Sequence, residues 1–303
     1  RAWLKRSSWA SVLSAYMATY CIGNYLRSQL IVRRTSNPIH IGPTCQTRHV
    51  SGDRQTEPLP RIAVIGLATS MLGMMALPFA VTGTNLAVPL IKKDFNASLS
   101  SLSWALSGYS IVIAALTMLG GVAAARFGTL RAFQVGAVIF ASASIVCVFA
   151  PNVAILVAGR ALQGVGGAFV VPASVAVALV GWPDSRRAFA MGVWTGAFPI
   201  GSTTAPIISS ALITGGQWRL IFVVPLGLML ITLGLSLMLR SGGQLRAAAG
   251  ATEVALPDIV GMFAGTFATA LTALGLVEGN TWGWTNWKTI GAFVIAVVLI
   301  PIL

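Results

Sequence analysis

From Ile62 onward the chain alternates between apolar blocks of about twenty residues and short polar gaps, the block length that crosses a bilayer core of roughly 30 Å as a helix. The pattern predicts helices at 62–91, 102–124, 131–150, 153–180, 188–213, 219–239, 257–278 and from 288 onward. Glycine and proline inside these blocks do not break the assignment, because neighbouring helices in a membrane satisfy the freed backbone groups. The period-two alternation of a transmembrane β-barrel is absent from the sequence. The predicted class is all-α: a polytopic helical bundle with the bilayer as solvent.

Residues 1–61 read differently. They are polar and basic, are punctuated by Pro38, Pro43, Pro58 and Pro60, and hold one modest apolar stretch from Trp9 to Leu26. Arg1, Lys5 and Arg6 precede that stretch as in a signal segment, but no small-residue cleavage pattern follows it. The expected organisation is a poorly ordered N-terminal extension over 1–61, a six-helix unit over 62–240, and a cytoplasmic loop with a seventh helix and a truncated eighth over 241–303.

Composition strengthens the membrane reading. Apolar residues make up 56% of the 303 positions and charged ones 9%, against about a quarter charged in soluble domains. The net charge of +13 raises nucleic acid as a partner, but nine of the 20 basic residues lie in the first 61 positions and most others in gaps between apolar blocks. That distribution sets membrane orientation rather than forming a phosphate-binding face, so no nucleic acid is expected. With the N-terminus inside, the cytoplasmic side also collects Arg126, Arg131, Arg186, Arg187, Arg240 and Arg246, leaving Lys92, Lys93, Arg219 and Lys288 outside. Trp282, Trp284 and Trp287 cluster at the outer turn, where indoles favour the interface.

Little in the chain suggests catalysis. Cys21, Cys45 and Cys147 form neither a metal-type pair nor a disulfide framework, and Cys147 reads as a small buried apolar residue. Both histidines, His40 and His49, lie in the extension, and the nucleophile-elbow, zinc-protease and phosphate-loop motifs are missing. Neither an enzyme nor a cofactor or metal site is expected.

Arg160 carries the most information, because a guanidinium within a membrane helix costs at least about 2.5 kcal/mol and calls for compensation. Gln163, Gly164 and Gly167 share its face: an amide to hydrogen-bond and two glycines to admit a neighbour. The alternative is an arginine snorkelling outward from the helix end. In the fifth helix, Gly192, Gly196, Gly201, Ala205, Pro206, Ser209 and Ser210 form a small-residue seam, read equally as plain packing or as a functional hinge. On the first helix, Pro78, Thr82, Asn85 and Pro89 form a polar, kink-prone stripe. Thr82 and Asn85 with Arg160 and Gln163 are the candidate cavity lining; ordinary packing is the alternative.

These residues carry a resemblance. Leu156, Arg160, Gln163, Gly164, Gly166, Gly167 and Ala168 resemble the fourth-helix motif of the major facilitator superfamily, and the run from Gly192 through Gly201, Ala205 and Pro206 resembles its antiporter motif. Asn85, Ala87, Pro89 and Ile91, Trp104 with Tyr109, and Trp218, Arg219 and Phe222 are similar to further patterns of the fourteen-helix drug:proton antiporter branch. Asp258, Gly261 and the 279–284 segment resemble that branch's extra helices. The resemblance implies the six-helix N-terminal half of a major facilitator fold plus one to two additional helices. It further implies export of small amphipathic molecules by alternating access, with protons as coupling partner in the complete protein and a bacterial cytoplasmic membrane as location. A missing C-terminal half is the implied partner.

Departures matter as much. In the loop after helix two, Gly121, Arg126 and Gly128 match the family, but Ala125 replaces an acid, and in helix one Ala80 stands where the family has aspartate. Between Ile62 and Leu239 the only carboxylates are Asp94 and Asp184, both expected in loops. Asp258 and Glu278, at the ends of helix seven, are the remaining candidates for proton coupling, with solvated interfacial residues as the alternative. The competing functional reading is a truncated or degenerate membrane protein without transport of its own. Residues 1–303 are expected to insert in a membrane without transporting.

Overall fold

The computed structural model describes residues 59–240 and 259–299. Eight α-helices stand among them: α1 Arg61–Phe95, α2 Leu99–Phe127, α3 Thr129–Val148, α4 Val153–Ala178, α5 Arg187–Ile213, α6 Val223–Arg240, α7 Ile259–Trp282 and α8 Trp287–Leu299. No strand occurs among the described residues. The first six helices, α6 counted with the turn before it, are long and apolar enough to cross a membrane. Residues 1–58 of the expected extension, and the segment 241–258 with Arg246 and Asp258, lie outside the described residues, while Arg61, expected in the extension, opens α1.

Helix ends follow local chemistry. Ser98 and Asn152 cap α2 and α4, their side-chain oxygens accepting from Ser101 N (3.2 Å) and Ile155 N (3.0 Å). Gly128 is at once the last cap of α2 and the first of α3, and its φ of 97° makes that one-residue reversal possible. Three boundaries differ from expectation. The 35 residues of α1 span about 52 Å at 1.5 Å each, so its last turn runs past the apolar core and carries Asp94 on the helix rather than in a loop. A 3₁₀ turn, Trp218–Phe222, precedes α6, and α7 continues four residues beyond its expected end at 278.

Non-sequential neighbours hold the bundle together. α4 is central: it runs parallel to α2, which it meets through Gly164 and Gly167, and antiparallel to α3, which it meets through Gly159 and Gly166. A methyl group on Gly166 would sit 2.6 Å from Phe140 N, and one on Gly164 would sit 2.8 Å from Tyr109 O. At these positions only glycine lets the helices pack backbone to backbone. α1 lies parallel to α5 and antiparallel to α4 and α6. Phe133, Phe140, Val170, Val177 and Met229 fill the largest apolar cluster between these helices. α7 packs on α2 and on α8.

Candidate functional site

Arg160 is seated in the wedge between α2, α3 and α4 and is 1% exposed. Its guanidinium therefore does not snorkel to the surface, and the helix-end alternative is corrected. The reason is geometric: Arg160 lies on the face of α4 opposite Ile155, Ala158 and Leu162, which are exposed. Three groups receive the charge, and none is a carboxylate. Nε donates to Ala105 O of α2 at 3.2 Å and Nη1 to Gln163 Oε1 at 2.7 Å. The Tyr109 ring faces Cζ at 4.4 Å, a cation–π contact strengthened by desolvation. Gln163 in turn donates from Nε2 to Ser144 Oγ of α3 at 2.8 Å, and Ser144 donates to Phe140 O at 2.8 Å.

The aspartate position of helix one explains why no acid joins this network. Ala80 is 2% exposed and lies in the same apolar cluster as Ala76, Leu77 and Tyr109. A methyl group fits that dry surface where an ionised carboxylate would demand its own partners. The α1 stripe divides: Pro78 is buried against α5, Thr82 is half-buried, and Asn85 and Pro89 are exposed. No hydrogen bond among the described residues joins Thr82 or Asn85 to Arg160 or Gln163. The expected lining is thus two features: a sealed charge within the half and a polar stripe on its surface.

The fifth-helix seam divides as well. Gly201, Ala205 and Ser209 are buried on α1, whereas a methyl group on Gly192 or Gly196 would meet nothing within 4 Å. Pro206 is half-buried. Gly121 and Arg126 lie within α2, which runs on to Phe127, rather than in the expected loop; Gly121 is near Pro172 of α4, and Arg126 in the last turn is exposed without an ion pair among the described residues. Glu278 is 5% exposed, so it is a buried residue of α7 rather than a solvated one.

Three features escaped the sequence reading. Ser144 and the Ala105 carbonyl complete the Arg160 network. Where α1 ends, Asp94 Oδ2 accepts from Trp218 Nε1 and from Arg219 Nη1, both at 3.0 Å. Arg219 also stacks on Trp218 at 4.4 Å and donates to Ala150 O at 3.4 Å, tying α1, the α3–α4 turn and the start of α6 together. The signal for Ser144 was present: with Gly136, Phe140 and Cys147 it forms one helical stripe.

A bundle of glycine-seamed membrane helices holding the buried guanidinium of Arg160 defines an integral membrane protein of the transporter type. The chain belongs to the Major Facilitator Superfamily, whose sequence model matches residues 63–303. It is 30% identical over 230 residues to the methylenomycin A resistance protein of Bacillus subtilis, covering 75% of this chain and 47% of that protein. The Streptomyces coelicolor protein of the same name is 27% identical over 259 residues, covering 85% of this chain and 52% of that one. Multidrug resistance protein Stp of Mycobacterium tuberculosis is 30% identical over 233 residues, 76% of this chain and 42% of that protein. The chain therefore spans about half the length of these relatives.

Proposed function

We propose that this chain is the charge-bearing part of a secondary transporter that exports small amphipathic molecules by alternating access. The observation that carries the reading is Arg160, a permanent cation kept 1% exposed at a junction of three membrane helices. Such a group is expensive in a bilayer, and intramembrane ionisable residues mark transport pathways. Relatives named for antibiotic resistance and export support the cargo class. The substrate path runs along the exposed stripe of Thr82, Asn85 and Pro89, with Arg160 acting on it electrostatically from within the half. The N-terminus is cytoplasmic in this reading, and the membrane is the bacterial cytoplasmic one.

Protons are the proposed coupling ion. Arg160 cannot exchange one near neutral pH, and α1–α6 hold no carboxylate within the apolar core, so the acid must come from elsewhere. Glu278 on α7, and Asp258 just before it, are the candidates this chain offers. The test is accumulation of amphipathic probes in an efflux-deficient bacterium expressing the complete protein that contains this chain, with and without a protonophore. Reduced accumulation that the protonophore abolishes is the expected result; accumulation equal to that of the empty vector would remove the export reading.

A further inference from the structure

We propose that Ser144 is a positioning residue: its hydroxyl fixes the side-chain amide of Gln163 with the oxygen toward Arg160, so that a neutral dipole faces the buried guanidinium. The inference rests on the reading that Arg160 is the intramembrane charge of the transport cycle, and it extends that reading to a residue on a different helix.

The argument is one of hydrogen-bond polarity. A glutamine amide is nearly symmetric in shape but not in chemistry, since one end accepts and the other donates. Turned one way it stabilises a cation; turned the other it sets two N–H groups against one. A serine hydroxyl has a single proton, and that of Ser144 goes to Phe140 O at 2.8 Å. What it has left to offer Gln163 is a lone pair, so the neighbouring end of the amide must donate, and Nε2 does so at 2.8 Å. The opposite end, Oε1, then accepts from Arg160 Nη1 at 2.7 Å. Ser144 and Gln163 are both 0% exposed, so water is not at hand to reverse this order.

The device answers the difficulty posed by the missing acid. No Asp or Glu occurs between Asp94 and Asp184, the span that contains all of α2, α3 and α4. The guanidinium is held instead by the Gln163 oxygen, the Ala105 carbonyl and the face of Tyr109. Of these, the amide is the one group that can turn, and Ser144 determines which way.

Cys147 supplies a readout independent of transport. It is 0% exposed, lies three residues beyond Ser144 on α3, and its Sγ sits 2.7 Å from where a methyl group on Gly159 of α4 would be. Its alkylation rate reports how often α3 and α4 separate. The experiment uses the full chain in liposomes, carrying Cys21→Ser and Cys45→Ser, and follows labelling by a membrane-permeant maleimide. Ser144→Ala is expected to speed labelling about tenfold, the effect of losing one buried hydrogen bond, and Ser144→Thr to keep it near the starting rate. In a Gln163→Met background, Ser144→Ala should change labelling less than about twofold, because no amide remains for the hydroxyl to orient.

An unchanged rate in Ser144→Ala, fast labelling before any substitution at 144, or failure of threonine to restore protection would overturn the proposal. So would an equal acceleration in both backgrounds, which would make Ser144 a packing residue only. Efflux plays no part in this readout. The expected labelling pattern without export would sink the function and leave the positioning role; export with a flat labelling pattern would do the reverse.

Discussion

Gly201 of α5 lies directly against Pro78 of α1: a methyl group added there would come 2.7 Å from Pro78 Cγ and 3.1 Å from both Cα and O of Met75. Met75 Cα and O are backbone atoms, which cannot swing aside. Gly201→Ala should therefore lower stability by about 1–3 kcal/mol, the usual effect of overpacking a tight interface. Gly192→Ala, on the same helix but facing open space, should instead raise it by about 0.5–1 kcal/mol through helix propensity. Thermal unfolding of the purified chain in detergent separates the two. Equal shifts would mean that α1 and α5 do not touch at Gly201.

That contrast shows how far the sequence could be read. Small residues at fixed spacing marked α5 as a packing helix, and a guanidinium inside an apolar block marked Arg160; both are local features of the sequence. Which partner each face meets is not local. Gly192 and Gly196 have the spacing of a close-approach pair yet face open space, because the buried stripe of α5 runs through Ala190, Ala197, Gly201, Ala205 and Ser209 on another face of the helix. The Arg160 cradle was legible only in its own helix, through Gln163. Ala105 contributes a backbone carbonyl, which no sequence displays, and Ser144 is one of two serines in α3, beside Ser142, until the helix is rotated against α4.

At the C-terminal end of α1, the indole of Trp218 and the Asp94–Arg219 ion pair should count unequally. The side chains of Asp94 and Arg219 are 45% and 42% exposed, so water and salt screen their attraction. Trp218 is 3% exposed and packs edge-on against Phe95 at 5.5 Å and Phe222 at 6.3 Å. Trp218→Ala should cost about 3–5 kcal/mol, as loss of a buried aromatic does, while Arg219→Gln should be nearly silent. Unfolding midpoints of the two variants check the order. A larger loss in Arg219→Gln would show that the charge, not the ring, holds this corner.

Orientation is tested by impermeant thiol labelling of single cysteines in intact cells, after replacing the three native ones. Asn96, in the α1–α2 turn, should label from outside, and Ser185, beside Arg186 in the α4–α5 turn, should not. The expectation follows from the excess of Lys and Arg on the N-terminal side. Both turns are exposed, so accessibility depends on side alone. Labelling at 185 with protection at 96 would invert the bundle.

In the complete protein, Arg160→Leu should abolish export while leaving the protein in the membrane at normal abundance. Two effects oppose each other in that variant. Removing the guanidinium relieves an insertion penalty of at least about 2.5 kcal/mol, but it leaves Gln163 Oε1 without its donor in a site water does not reach, a loss of about 1–3 kcal/mol. The two nearly cancel, so folding survives and the missing charge is what transport feels. Arg160→Lys keeps the charge but has one nitrogen where two of the guanidinium's nitrogens now bond in different directions, to Ala105 O and to Gln163 Oε1. It also replaces a flat cation stacked on Tyr109 by a compact ammonium. Partial export, between wild type and the leucine variant, is the expected outcome. Quantitative immunoblots of membrane fractions beside efflux rates provide the measurement. Wild-type efflux in Arg160→Leu would show that the cradle holds a structural charge and nothing more.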